Sequence, residues 1–280
     1  MDLTQFFRLM AEKHASDLFF SAGAPVYIKI EGEIHPVNQQ VFDAALVKKV
    51  AYALMTEEQI AAFESTMEMN FGLSVPNCGR YRVNVFRQRG SVAMVIRYIS
   101  DQVPSITTLG LPPVLDELVM HKRGLILVVG ATGSGKSTTL AAMIDHRNAH
   151  STSHILAIED PIEFIHKHKR SIVNQREIGI DTASYSNALV NALREAPDVL
   201  LIGEIRDQET MRQALIYTQT GHLCLATLHA NNAYHALNRI ISLFPAEMQE
   251  GLLLDLAMSL KAVISQRLVK GADGKRVAAI

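Results

Sequence analysis

The chain has 280 residues, of which 48% are hydrophobic, so it has room for two ordinary domains and is not a disordered protein. Its 27 basic and 28 acidic residues give a formal net charge of −1, which excludes the overall basic charge of a dedicated nucleic-acid-binding protein. The two cysteines exclude a zinc site built from cysteine pairs, and no apolar run approaches the ~20 residues that span a bilayer, so we expect a cytoplasmic protein.

The amino-terminal part of the chain has the pattern of a compact α+β domain. Leu3, Phe6, Phe7 and Met10 recur at helical spacing, so the chain opens with an amphipathic helix. Further elements are predicted at 18–21, 26–30, 34–37, 81–87 and 92–99 as strands and at 43–54 and 57–64 as helices. Several strands in succession with a few helices indicate a separate domain at 1–99.

A second domain, with a different pattern, is predicted at 114–280. The stretch 100–113 is rich in proline, glycine and small polar residues, which is typical of a linker. Beyond it, short apolar runs alternate with helical segments, which predicts an α/β fold with a mainly parallel sheet covered on both faces. The apolar runs lie at 125–129, 155–158, 199–202 and 223–227.

The first of these runs leads into the pattern G-x-x-x-x-G-K-[ST], and a predicted helix at 138–147 follows. In such a phosphate loop, backbone N–H groups and the start of a helix bind phosphate oxygens. We expect Lys136 to reach the β- and γ-phosphates of ATP and the Ser137 hydroxyl to bind Mg²⁺. The predicted nucleotide-binding residues are Gly130, Ala131, Thr132, Gly133, Ser134, Gly135, Lys136, Ser137 and Thr138.

Acidic side chains follow two of the other runs, at the edge of the sheet where open α/β folds bind ligands. Glu159, Asp160 and Glu163 follow one run, and Glu204 follows another. Gly203 stands where the usual Walker B pattern has an aspartate. These acids have the chemistry to orient water and hold a metal ion, and taken alone they are equally compatible with solvated loop residues.

In this order, the segments resemble the secretion ATPases, the family that powers type IV pili and type II secretion. The matching blocks are the phosphate loop (Walker A), 159–163 (Asp box), 203–207 (Walker B) and 220–222 with 228–229 (His box). The cysteine-pair zinc motif of the assembly ATPases is absent, so the chain is similar to the retraction branch, the PilT and PilU family. Segments such as 223–232 are more similar to PilU.

The resemblance implies a RecA-like ATPase domain preceded by a smaller PAS-like domain, assembled in a homo-hexameric ring. It implies an ATP-hydrolysing motor subunit for type IV pilus retraction and twitching motility, with ATP and Mg²⁺ as cofactors. A PilT-type retraction ATPase and an inner-membrane pilus platform protein are the expected partners, which would place the protein peripherally at that membrane. No nucleic acid is expected. Relatives continue beyond the point where this chain stops, so the family's C-terminal helical region is expected to be largely missing.

The resemblance also implies roles for five residues. Glu163 is expected to be the catalytic glutamate that activates water, Glu204 to support Mg²⁺, and His229 to contact the region of the γ-phosphate. Arg82 and Arg97, in the amino-terminal domain, are expected to complete the nucleotide site, often across a subunit boundary. A solvated sheet face is the alternative interpretation of these two arginines, and a structural histidine that of His229.

Other functions stay open at this point. One is a related secretion or pilus-assembly ATPase, and another is a RecA-like nucleic-acid translocase, which would show DNA-stimulated ATP turnover and steep salt dependence of binding. A third is a subunit that binds ATP without hydrolysing it.

Overall fold

A computed structural model describes residues 3–271 and 276–280. The chain divides into two compact units, Met1–Ser100 and Asp101–Ile280. In the described ranges, no helix combines the length and the apolar character that crossing a bilayer requires.

The first unit is an antiparallel sheet with three helices. Its strands follow the spatial order β3-β2-β1-β6-β5-β4. The strands are β1 (Asp17–Phe20), β2 (Ala24–Ile30), β3 (Glu33–Phe42), β4 (Glu68–Val75), β5 (Gly79–Gln88) and β6 (Ser91–Ile99), and the helices are α1 (Thr4–Glu12), α2 (Ala44–Ala53) and α3 (Glu57–Thr66).

One core holds this unit together. The apolar stripe of α1 packs there, since Phe6, Phe7 and Met10 are all buried, as its helical spacing predicts. Alternate residues of β5, including Tyr81 and Val83, point into the same core, which leaves the intervening residues on the opposite face of the sheet.

The second unit is built on a parallel sheet. Its strand order is β12-β7-β11-β10-β8-β9, and every neighbouring pair of these strands is parallel. These strands are β7 (Gly124–Val129), β8 (His154–Glu159), β9 (Ile172–Glu177), β10 (Val199–Ile202), β11 (Leu223–Leu228) and β12 (Leu260–Ser265). A separate antiparallel hairpin follows, formed by β13 (Arg267–Lys270) and β14 (Arg276–Ala279).

Helices cover both faces of the parallel sheet, which confirms the α/β prediction. Successive residues of β7 enter different cores: Leu125 and Leu127 enter one, and Ile126 and Val128 enter the other. The helices are α4 (Val114–Val119), α5 (Lys136–His150), α6 (Tyr185–Ala192), α7 (Gln208–Gln219), α8 (Ala233–Ser242) and α9 (Gln249–Ser259).

Five strands of the described residues are absent from the sequence prediction, namely β4, β9, β12 and the hairpin strands β13 and β14. β4 and β9 are edge strands in which polar residues interrupt the apolar pattern, because only one side of an edge strand is paired within the sheet. β12 continues directly from α9, so one apolar stretch contains both a helix and a strand. In the stretch where a linker is predicted, Ile106 and Leu111 are buried in a core of the second unit.

Candidate nucleotide-binding site

The phosphate loop connects β7 to α5. The strand ends at Val129 and the helix begins at Lys136. Gly133 and Gly135 have φ angles of 74° and 87°, a region that glycine adopts without the steric cost paid by other residues. These two glycines allow the chain to turn sharply and present the first N–H groups of α5, which have no partner within the helix, to a phosphate.

Lys136 is the first residue of α5, and its side chain reaches back to the start of the phosphate loop. Its Nζ donates hydrogen bonds to the carbonyl oxygens of Gly130, at 3.0 Å, and Ala131, at 2.9 Å. Burial lowers the pKa of the Lys136 ammonium, and the nearby carboxylates of Glu204 and Glu163 oppose this shift. The ammonium is therefore held at the centre of the loop with acidic groups facing it.

The cavity above the loop brings together most of the predicted site residues of this unit. It has a volume of about 420 Å³, within the usual range of ligand sites. The predicted residues that line it are Thr132, Gly133, Gly135, Lys136, Ser137, Thr138, Glu163, Glu204 and His229. Gly130 and Ala131 line an adjoining groove, and Ser134, in the middle of the loop, is buried.

Glu204 is the centre of a charged cluster in this cavity. His229 places Nε2 at 2.9 Å from Glu204 Oε1, and Arg206 Nε donates to Glu204 Oε2 at 2.6 Å. Arg206 also forms an ion pair with Asp160 at 3.2 Å. These contacts connect the loops that follow β8, β10 and β11, because parallel strands place their carboxyl ends at one edge of the sheet.

His222 lies at the other end of β11. Its Nδ1 is 3.0 Å from the Thr220 hydroxyl, and its ring packs edge-on against Tyr217. The two histidines of the predicted His box are therefore separated by the length of a strand, and His229 is the one that lines the cavity.

Steric crowding explains the glycine at position 203. A Cβ built on Gly203 would lie 2.8 Å from Tyr185 Oη, 3.1 Å from Glu159 Cα and 3.2 Å from the Ile158 carbonyl oxygen. The Thr227 hydroxyl also donates to the Gly203 carbonyl at 2.5 Å. An aspartate at this position, as in the usual Walker B pattern, would be crowded by these atoms, whereas Glu204 at the next position lines the cavity.

Substituting Gly203 by alanine is expected to destabilise the protein by about 1–3 kcal/mol, because the new methyl group enters occupied space. The Tyr185 hydroxyl is buried and has no hydrogen-bond partner among the described residues, so Tyr185→Phe should cost little. Urea unfolding of Gly203→Ala in the wild-type and Tyr185→Phe backgrounds tests this contact. We expect a smaller cost in the second background, and an equal cost would contradict it.

Glu159, at the end of β8, is a carboxyl group with an altered pKa. Burial raises its pKa to about 7, the hydrogen bond from Gln175 Nε2 at 3.1 Å opposes the rise, and the charge of Glu163 adds to it. The same Gln175 amide donates to the Phe164 carbonyl oxygen at 2.8 Å. Gln175 therefore connects Glu159 to the loop that carries Glu163.

The raised pKa predicts a pH-dependent stability. Between the ordinary value of 4.5 and about 7, the folded protein holds a proton on Glu159 that the unfolded chain has released, so stability falls as pH rises through this window. Glu159→Gln removes this loss and keeps an oxygen to accept from Gln175. Nucleotide-free unfolding at about pH 5 and about pH 8 should show the variant gaining stability over wild type at the higher pH. A pH-independent difference would contradict the assignment.

Arg82 and Arg97 belong to the first unit. They are directly opposite each other on β5 and β6, on the sheet face away from Tyr81 and Val83. Arg97 Nε donates to the buried carboxylate of Asp17 at 2.7 Å. A role for these arginines at a nucleotide stays a prediction.

Sequence reasoning assigned no role to two residues that hold backbone groups of the site in place. Thr227, near the end of β11, lines the cavity and holds the carbonyl of Gly203. Gln266, after β12, hydrogen bonds to the phosphate loop. Thr227 directly precedes Leu228 and His229 of the His box, whereas Gln266 belongs to no motif of the sequence. Pairing of distant strands brings both residues to the site.

Two curated proteins with similar sequences are named as type IV pilus ATPases. The chain is 49% identical over 275 residues to the type IV pilus ATPase PilU of Pseudomonas aeruginosa, covering 98% of this chain and 72% of that protein. It is 44% identical over 279 residues to the type IV pilus retraction ATPase PilT of the same species, covering 100% of this chain and 81% of that protein.

Comparisons with solved structures and with a family model lead to the same group of proteins. The crystal structure of the pilus retraction motor PilT with bound ADP superposes with a TM-score of 0.94 at 44% identity, covering 100% of this chain and 82% of that one. The ATPase DotB of Legionella pneumophila superposes with a TM-score of 0.85 at 28% identity, covering 99% of this chain and 78% of that one. The model of the type II/IV secretion system protein family matches residues 2–277. The chain therefore belongs to the type II/IV secretion system protein family.

Proposed function

We propose that this protein is an ATP-hydrolysing motor subunit that powers type IV pilus retraction and is of the PilU type. The observation that carries the proposal is the cavity in which Lys136, Glu163 and Glu204 meet at the phosphate loop. The loop accounts for nucleotide binding, and the two carboxylates add the groups that hydrolysis needs. The sequence identities of 49% and 44% to two pilus ATPases support the proposal that this ATP hydrolysis powers a pilus.

In the proposed mechanism, Lys136 and the N–H groups of the loop hold the β- and γ-phosphates of ATP. The Ser137 hydroxyl and the Glu204 carboxylate line the same cavity, and such oxygen ligands together with ATP phosphates fit Mg²⁺, which neutralises phosphate charge when bound. Glu163 accepts a proton from the attacking water. His229 is the proposed contact to the region of the γ-phosphate, and its hydrogen-bonding distance to Glu204 in the same cavity supports this role.

The proposal extends to the assembly. We place the subunit in a homo-hexamer, in which Arg82 and Arg97 of the amino-terminal unit contribute to a nucleotide site. A PilT-type retraction ATPase and the inner-membrane platform protein of the pilus are its proposed partners, which gives it a cytoplasmic position at that membrane. These statements rest on the similarity to PilU and PilT.

Pilus retraction in cells tests the proposal directly. The experiment compares twitching zones and the retraction of labelled pili for the wild-type gene, the Lys136→Ala gene and a deletion. We expect Lys136→Ala to match the deletion, whereas normal retraction would refute a motor role. ATP turnover of the purified protein with and without DNA is the companion measurement, because stimulation by DNA would indicate a translocase instead.

A further inference from the structure

Gln266 is a buried polar residue at the junction between the parallel sheet and the hairpin. It follows β12, and only 1% of its surface is exposed. Its backbone N–H donates to the Val129 carbonyl oxygen at 2.8 Å, at the last residue of β7 before the phosphate loop. Gln266 is therefore fixed beside the point where the loop begins.

The side chain of Gln266 forms hydrogen bonds on both sides of the junction between the phosphate loop and α5. Its Nε2 donates to the Ser134 carbonyl oxygen at 2.9 Å, and its Oε1 accepts from the Thr139 hydroxyl at 2.7 Å. Ser134 lies in the loop, and Thr139 lies in the first turn of α5 and is itself buried. One uncharged side chain thus joins the loop to the helix that supplies its phosphate-binding N–H groups.

Two glycines of the motif leave room for the same residue. A Cβ on Gly130 would lie 2.4 Å from the Gln266 carbonyl oxygen, and a Cβ on Gly135 would lie 2.8 Å from Gln266 Nε2. Gln266 therefore crowds both the first and the last glycine of the motif; the Ser134 hydroxyl adds to the crowding at Gly130, and the turn adds a second reason for glycine at Gly135.

We propose that Gln266 is a positioning residue that holds the phosphate loop in the shape that binds a nucleotide. The inference rests on the proposed ATPase function and assigns a residue outside the four family blocks. Without the amide, the Ser134 carbonyl and the Thr139 hydroxyl lose buried partners, which is costly, so the loop relaxes to satisfy them. The N–H groups then no longer point at one phosphate position, and the binding of ATP and ADP weakens alike.

The test compares Gln266→Leu and Gln266→Glu with the wild-type protein. Leucine keeps much of the volume and removes both hydrogen bonds, whereas glutamate keeps the acceptor for Thr139 and places a second acceptor against the Ser134 carbonyl. Calorimetric ADP binding should weaken about tenfold or more in both variants. In steady-state assays the KM for ATP should rise by a similar factor while kcat stays within about threefold of wild type, since uniform binding is lost.

A control separates positioning from general destabilisation. Thr218 is a buried threonine of α7 whose hydroxyl donates to the Leu215 carbonyl at 2.7 Å, and it does not line the cavity. Thr218→Val should lower the melting temperature and leave the ADP affinity unchanged. Lost stability alone reduces the active fraction, which lowers apparent kcat and not the affinity of the folded molecules.

The outcomes are distinct. ADP affinity of folded Gln266→Leu within about twofold of wild type overturns the proposal. If neither Gln266 variant folds, Thr139→Val decides, with Thr139→Ser as its conservative partner: weaker ADP binding in the valine variant alone supports the proposal, and unchanged binding overturns it. Calorimetry needs no hydrolysis, so absence of ATP turnover would refute the proposed function while leaving this test intact.

Discussion

Glutamine at position 163 is expected to reduce the turnover number for ATP about 10²–10⁴-fold, the usual contribution of a general base, while ADP still binds. Glu163 lines the cavity with Lys136, and its charge is near enough to affect the Lys136 ammonium. Glutamine keeps the size of the side chain and removes its ability to accept a proton at neutral pH. The expected loss is therefore in kcat.

The measurements are steady-state ATP turnover and calorimetric ADP binding. The matched control is Glu250→Gln, because Glu250 is an exposed residue of α9 that does not line the cavity. This control should leave the ATP turnover and the ADP affinity unchanged. If Glu163→Gln turned over ATP at the wild-type rate, the general base would have to be another group, and Glu159 in the same cavity would be the next candidate.

Alanine at position 136 is expected to weaken ADP binding about 100-fold or more and to abolish measurable ATP turnover. The reason is that a hydrogen bond from an ammonium group to a phosphate is stronger than a hydrogen bond between neutral groups. An ammonium group has three donors. Among the contacts of described residues, Lys136 uses two of them within the loop, at Gly130 and Ala131, which aims the remaining donor at the cavity.

Stability should respond differently from binding. Burial disfavours the charged form of Lys136, so its removal should not lower the melting temperature of the nucleotide-free protein greatly. Calorimetry and thermal unfolding measure the two effects separately. Lys122→Ala, which removes an exposed lysine, is the control and should retain wild-type ADP affinity. Equal ADP affinity in Lys136→Ala and wild type would exclude this loop as the nucleotide site.

The sequence alone predicts the parts of the molecule that depend on local patterns. Alternating apolar runs and helices indicate the α/β sheet, and the fixed spacing from Gly130 to Ser137 indicates the loop. The expectation that Glu163, Glu204 and His229 share one edge follows from the geometry of parallel strands, and all three line the cavity. Their chemical roles stay proposals.

Other features depend on contacts between distant segments, which no local pattern records. The absence of an aspartate at Gly203 becomes understandable only when Tyr185 and the end of β8 are placed against it. Likewise, Gln266 gives no sign in the sequence of its contact with the loop. The edge strands β4 and β9 are missed because partial pairing permits a polar pattern that resembles a loop.

The strand order of the second unit has a consequence for folding. The central strands β7, β11 and β10 are neighbours in space although long segments separate them in the chain, and the cavity takes residues from the ends of four strands. Pairing such distant segments costs loop-closure entropy before the contacts between the strands can offset that cost. The nucleotide site therefore forms only when the strands that contribute to it have paired. A nucleotide at 100 times its Kd would stabilise the fully folded state by about 2.7 kcal/mol and would not stabilise partly folded states that lack the site.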